Sequence, residues 1–127
     1  MTPSTSRKTA RRQALYLLYQ WDLTGQELAS LFEGEPDAFA RSLAEAVAAR
    51  AGPLDTRISA ASPDWPADRL GTLERNVLRI GVYELEEGTV PAEVAINEAV
   101  VLAKRYATED AARLVNGILG AIKRDAA

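Results

Sequence analysis

Along this chain apolar residues recur three and four positions apart, and the strict alternation of a half-buried strand is nowhere sustained. That period predicts helices throughout. The first is expected from about Arg7 to Thr24, with Ala10, Ala14, Leu17, Leu18 and Trp21 on one face and Gly25 as its stop. "QELASLFEGEP" predicts a short helix ending near Gly34, and Pro36 is placed to open the next, "DAFARSLAEAVAAR". "AGP" at 51–53 predicts a break, with another helix from Leu54 to about Ala61. Pro63 and Pro66 in "SPDWPADRLG" leave room for one short helical turn at most. "TLERNVLRIGVYELEEG" predicts a helix with Leu73, Val77, Ile80 and Tyr83 inward and Gly88 at its end. Pro91 starts the following helix in its first turn, with Glu93 suited to that N-terminus. "AEVAINEAVVLAKRYA" is expected to bury Val94, Ile96, Val100 and Val101 or their neighbours. Thr108 is a good N-cap for a last helix that carries Glu109 and Asp110 in its first turn and Lys123 and Arg124 near its end.

The sum is an all-α, compact bundle of about six to seven helices. The proline cluster could divide it into two small subdomains, but the apolar faces on both sides need partners, so residues 1–127 are expected to form one packed unit, with 1–6 flexible. Two positions interrupt the pattern. "VNG" at 115–117 has the composition of a hairpin turn, yet Leu114, Ile118, Leu119 and Ile122 carry a helical face through it. A mid-helix glycine costs about 1 kcal/mol against alanine, so Gly117 is expected to serve close helix packing or, alternatively, the approach of a ligand. Asn97 lies among apolar residues and is expected to be buried, bonding a neighbouring backbone.

Composition narrows the chemistry. A chain of 127 residues that is 47% hydrophobic can bury a real core as a single domain. It contains neither cysteine nor histidine, which excludes disulfides, Cys–His zinc sites and histidine-based catalysis and fits a cytoplasmic protein. No apolar run approaches a membrane span, and no phosphate-binding or nucleophile motif is present. The carboxylate pairs Glu86–Glu87 and Glu109–Asp110 read as solvated helix ends, so no enzyme and no cofactor is expected.

Charge changes the picture more. Four of the 15 basic residues, Arg7, Lys8, Arg11 and Arg12, fall in the first twelve positions with no acid among them, leaving the rest with 11 basic against 18 acidic residues, a net −7. On a 3.6-residue helix Lys8, Arg12 and Tyr19 lie roughly in line, with Arg11 to one side and Tyr16 to the other. Cations that neutralise phosphates beside phenol rings that can stack on unpaired bases suit single-stranded RNA. The alternative is that the tyrosines only seal the core edge. Arg11 is expected to face water, so that Arg11→Glu weakens RNA binding and spares the fold. Arg79, one turn after Arg75, is open between extending this phosphate surface and pairing with Glu86 or Glu87.

Four segments together, "ARRQALYLLYQWDL", "LERNVLRIGVYEL", "VPAEVAINEAVVLAKRY" and "ARLVNGILGAI", resemble the bacterial NusB family of transcription antitermination factors, from about Arg7 to Lys123. The resemblance implies an all-helical protein of two small subdomains that binds boxA RNA together with NusE, a small-subunit ribosomal protein, and joins the RNA polymerase antitermination complex. It places the family's arginine-rich motif on Arg7, Lys8 and Arg11, with Arg12 adjacent, and its RNA-linked tyrosine on Tyr19. It further places an acid near the RNA surface on Asp110, with Arg113 one turn on, and the glutamate associated with NusE contact on Glu74. The family often has a phenylalanine before "VNG"; this chain has Leu114, which can pack but not stack. Some family members self-associate, so a homodimer stays open beside a monomer. Two other readings remain: the same fold serving as the RNA-binding domain of an rRNA methyltransferase, which the end of the chain at Ala127 argues against, and a helical protein–protein adaptor that touches no RNA.

Overall fold

The computed structural model describes residues 7–32, 34 and 37–126. Six helices follow one another: α1 Arg7–Thr24, α2 Ala38–Ala49, α3 Ala51–Ala61, α4 Thr72–Glu87, α5 Ala92–Tyr106 and α6 Glu109–Ala126. Single 3₁₀ turns occur at Leu28–Leu31 and Ala67–Arg69, and there is no strand among the described residues. The expected flexible segment 1–6 and Pro36 lie outside the described residues.

The helix ends follow local chemistry. Gly25 at φ 73° closes α1, its N–H donating to the Trp21 carbonyl at 3.0 Å. Gly88 closes α4 in the same left-handed conformation. The Asp37 carboxylate caps α2 by accepting from the Ala40 N–H at 3.0 Å, and Thr108 caps α6 by accepting from Ala111 at 2.9 Å. The break expected at 51–53 falls one residue earlier. Arg50 ends α2, and α3 starts at Ala51, so that Pro53 occupies its first turn, where its missing N–H costs nothing. Pro91 is the N-cap of α5 rather than its first helical residue.

One continuous apolar cluster draws on all six helices. From α1 it takes Ala14, Leu15, Leu17 and Leu18, with Trp21 half-buried against it. At its centre is α4, which packs against α1, α2, α3, α5 and α6 and is enclosed from Asn76 to Val82. The close crossing of α4 with α5 and α6 depends on Gly81, where a Cβ would meet Leu119 Cδ1 at 2.7 Å and Ala99 Cβ at 3.4 Å. Helix α5 turns Ala95, Ala99, Leu102 and Ala103 inward and leaves Val94 and Val101 exposed, so its core face is made of the smaller neighbours. Asn97, expected inside, is exposed, and the buried polar residue of α5 is Glu98.

Gly117 does not serve packing. It is exposed inside α6, and a Cβ there would meet nothing within 4 Å. Gly117→Ala is therefore expected to stabilise the protein by about 0.5–1 kcal/mol through helix propensity alone. A urea melt of the two proteins measures this, and a less stable variant would show that the position is constrained by something other than space.

Candidate nucleic-acid interface

Helix α1 presents two chemically different sides. Its core side carries the alanines and leucines, and its outer side carries Lys8, Arg12, Tyr16 and Tyr19. Tyr16 is 61% exposed, whereas Arg12 and Tyr19 are half-buried. Helix α5 runs alongside in the same direction: Lys8 Nζ lies 3.8 Å from Glu98, and Tyr106, two turns beyond Glu98, shares a cleft with Arg12, Tyr16 and Tyr19. Arg7 lies apart from this face, its guanidinium 4.9 Å from the Phe39 ring of α2.

Arg11 is not part of the exposed arc. It is 3% exposed and donates from Nε and Nη2 to the two Glu84 oxygens at 2.7 and 2.8 Å. Glu98 adds a second carboxylate 3.9 Å away. The hydrogen bond with Glu84 raises the Arg11 pKa above its already high ordinary value against the cost of burial, so the group is a permanent cation. The 100° step per residue explains the misplacement: Arg11 is displaced from the Lys8–Arg12–Tyr19 line toward the core side, where only α4 and α5 show what waits for it. The expectation that Arg11→Glu spares the fold is overturned, because a third carboxylate would enter a buried site.

Arg79 is likewise withdrawn from any phosphate surface. It is 5% exposed and grips Asp55 through Nε and Nη2, both at 2.7 Å, while Nη1 donates to Asp22 and to Asn76 Oδ1 at 3.0 Å. Arg75 donates to Asp22 at 2.9 Å and to the Leu70 carbonyl at 3.0 Å. This clasp ties the end of α1, α3 and the turn before α4 to α4 itself. Burial pushes the Asp22 carboxyl up, but hydrogen bonds from Arg75 and Asn76 and the charge of Arg79 outweigh it and leave the pKa below the ordinary carboxylate value. Glu86 and Glu87, the partners expected for Arg79, pair instead with Arg57 and Arg50 at 2.7 and 2.8 Å.

The remaining sites are peripheral. Asp110 and Arg113 are exposed on the first turns of α6, paired with each other, just past the turn that follows Tyr106. Leu114 is half-buried against the core. Glu74 is half-buried in the first turn of α4, its carboxylate folded over Gly71 so closely that a Cβ there would meet Oε2 at 2.2 Å. Sequence reasoning missed Tyr106, Glu84 and Glu98. "AKRYA" offered a signal for Tyr106, since it repeats the basic–aromatic juxtaposition of α1. No helix of the described residues is long and apolar enough to cross a membrane.

Comparison with known proteins gives a consistent picture. The family model described as the NusB family matches residues 8–124. A protein of Rubrobacter xylanophilus named transcription antitermination protein NusB is 39% identical over 121 residues, spanning 90% of this chain and 87% of its own. In the solved structure of antitermination factors NusB and NusE in complex with double-stranded RNA, the matching chain is 34% identical at a TM-score of 0.81, over 94% of this chain and 96% of that one. The structure of T. maritima NusB matches at a TM-score of 0.85 and 31% identity, over 97% of this chain and 94% of that one.

Proposed function

The chain belongs to the NusB family, and on that footing we propose that it is a non-catalytic transcription antitermination factor of the cytoplasm. It binds boxA-type RNA of ribosomal transcripts through an unpaired stretch, acts together with a NusE-type ribosomal protein and joins the RNA polymerase antitermination complex. The observation that carries this reading is the outer face of α1, where Lys8 and Arg12 lead into Tyr16 and Tyr19 on the basic end of an otherwise acidic chain. Cations positioned ahead of aromatic rings track a phosphate backbone while leaving the bases free to stack. Asp110 and Arg113, beyond the turn after Tyr106, would border the same RNA. Arg7, over Phe39, reaches it only from the side. The net −7 of the remaining chain complements a basic ribosomal protein and steers its encounter. Glu74 is the proposed contact for that partner, at the start of α4.

Titration of boxA-type and scrambled single-stranded RNA, with and without the NusE-type protein, tests the reading. The partner is expected to tighten binding of the boxA-type RNA selectively. Lys8→Gln with Arg12→Gln is expected to weaken binding and to lower the slope of log K against log salt by about 1.4, two phosphate contacts at ~0.7 each on a single strand. Glu74→Lys is expected to weaken partner binding, at a stability cost of about 0.3–1 kcal/mol because a cation replaces an anion in the first turn of a helix. Wild-type protein that fails to distinguish the two RNAs even with the partner present would end this reading.

A further inference from the structure

The cleft between α1 and the end of α5 has a volume of about 430 Å³ and is walled by Arg12, Leu15, Tyr16, Tyr19, Leu73 and Tyr106. No carboxylate of the described residues lines it. Tyr16 Oη accepts a hydrogen bond from Gln20 Nε2 at 2.8 Å, which leaves its own proton to donate. Arg12 makes no ion pair among the described residues. Its Nη2 donates to Thr9 Oγ1 at 3.1 Å, one of the five N–H donors that a guanidinium carries. The Arg105 guanidinium stands over the Tyr106 ring, 5.5 Å from its centroid.

We propose that this cleft receives one unpaired nucleobase, stacked against Tyr106 and Tyr16, with its flanking phosphates on Arg12, Lys8 and Arg105. The proposal rests on the RNA-binding reading above and adds to it a bounded base pocket and Tyr106 as one of its walls. An aliphatic side chain would suit Leu15 and Leu73 equally well. It would, however, desolvate the Tyr16 hydroxyl and the Arg12 guanidinium without giving either a partner. A base offers both rings a π-face, offers the hydroxyl an acceptor on its edge, and brings two phosphates to a rim where Lys8 meets only Glu98, at 3.8 Å, and Arg12 forms no ion pair among the described residues. The two helices that carry the cleft's tyrosines are also tied together by Arg11, which joins α1 to Glu84 of α4 and Glu98 of α5.

Anisotropy titrations of the wild-type protein with its NusE-type partner would use a boxA-type single-stranded RNA and a set of the same RNA with one base removed at each position in turn. One position is expected to stand out in the wild type. Tyr106→Leu, which keeps apolar bulk and loses the ring, is expected to weaken binding of the intact RNA by roughly 5- to 100-fold, the range of a single stacked base. On the RNA lacking the base at that one position the same substitution is expected to cost nothing further, because the two changes delete one interaction. Tyr106→Phe is expected to stay near wild type. Tyr16→Leu, at a position 61% exposed against 44% for Tyr106, is expected to couple to the same nucleotide and serves if the Tyr106 variant fails to fold. Equal losses on every RNA would overturn the pocket, as would wild-type affinity in both variants. Weakened capture of the partner in the absence of RNA, with RNA binding intact, would assign the cleft to a protein segment instead. If the wild type binds no RNA with its partner, the functional reading falls together with the pocket; if it binds and no position couples, the pocket alone falls.

Discussion

Arg11→Met is expected to destabilise the protein by about 3–5 kcal/mol, the loss typical of removing one partner from a buried ion pair. The guanidinium is buried, it holds both oxygens of a Glu84 that is itself 4% exposed, and Glu98 faces it from the other side. With the cation gone, two carboxylates share a buried site, and among the described residues only Lys8, near Glu98 and largely in water, remains to offset them. Against a total stability of about 5–15 kcal/mol, such a loss is roughly a fifth of the fold's stability or more. Arg11→Met combined with Glu84→Leu is expected to recover most of it, since replacing both partners of a buried pair by apolar groups of similar size is often neutral. Chemical denaturation of the single and double variants measures both halves. A single variant within about 1 kcal/mol of the wild type would mean that the pair is hydrated in solution and not the clamp described above. The functional corollary is that Arg11 acts on RNA binding through position rather than contact. RNA affinity of the folded double variant should fall only as far as α1 shifts against α5.

Gly81→Val is expected to cost about 3 kcal/mol, the upper end of the range for overpacking a filled core. A Cβ alone would press on Leu119 Cδ1 and Cδ2 at 2.7 and 3.1 Å, and Leu119 is fully buried with no space to give way. Valine then adds two methyl groups in the same place. The helix-propensity gain that makes Gly117→Ala favourable works here as well, but it is smaller than the clash. Trimming the obstacle is expected to return part of the loss, so Gly81→Val with Leu119→Ala should be less destabilised than the sum of the two single changes. Additive losses in thermal or urea melts would show that the two side chains do not meet. These two helical glycines therefore test opposite signs of adding a side chain within a single fold.

The sequence by itself determined that the chain is helical, where most helices begin and end, and which face of α1 is apolar. Those features depend on interactions within a few residues: the 3.6-residue period, the caps at Asp37 and Thr108, and the left-handed stops at Gly25 and Gly88. The concentration of positive charge at one end and the aromatic residues of α1 were equally legible, because both are properties of one short segment. What the period could not supply was the identity of the neighbour on each side of a helix. Arg11 and Arg12 are adjacent and chemically alike, yet one is sealed between two carboxylates from α4 and α5 and the other opens on a cleft, because they point 100° apart toward different surroundings. Arg79 went to Asp22 and Asp55, far off in the chain, rather than to the acids nearby in its own helix. Gly81 and Gly117 both sit in helices and read alike in sequence; one marks the closest crossing of the core and the other faces open space. Tyr106 belongs beside Tyr16 only because α5 runs parallel to α1, a relation between segments some ninety residues apart. Local spacing decides conformation, whereas burial and pairing are decided by which surfaces meet, and that is settled when the helices pack.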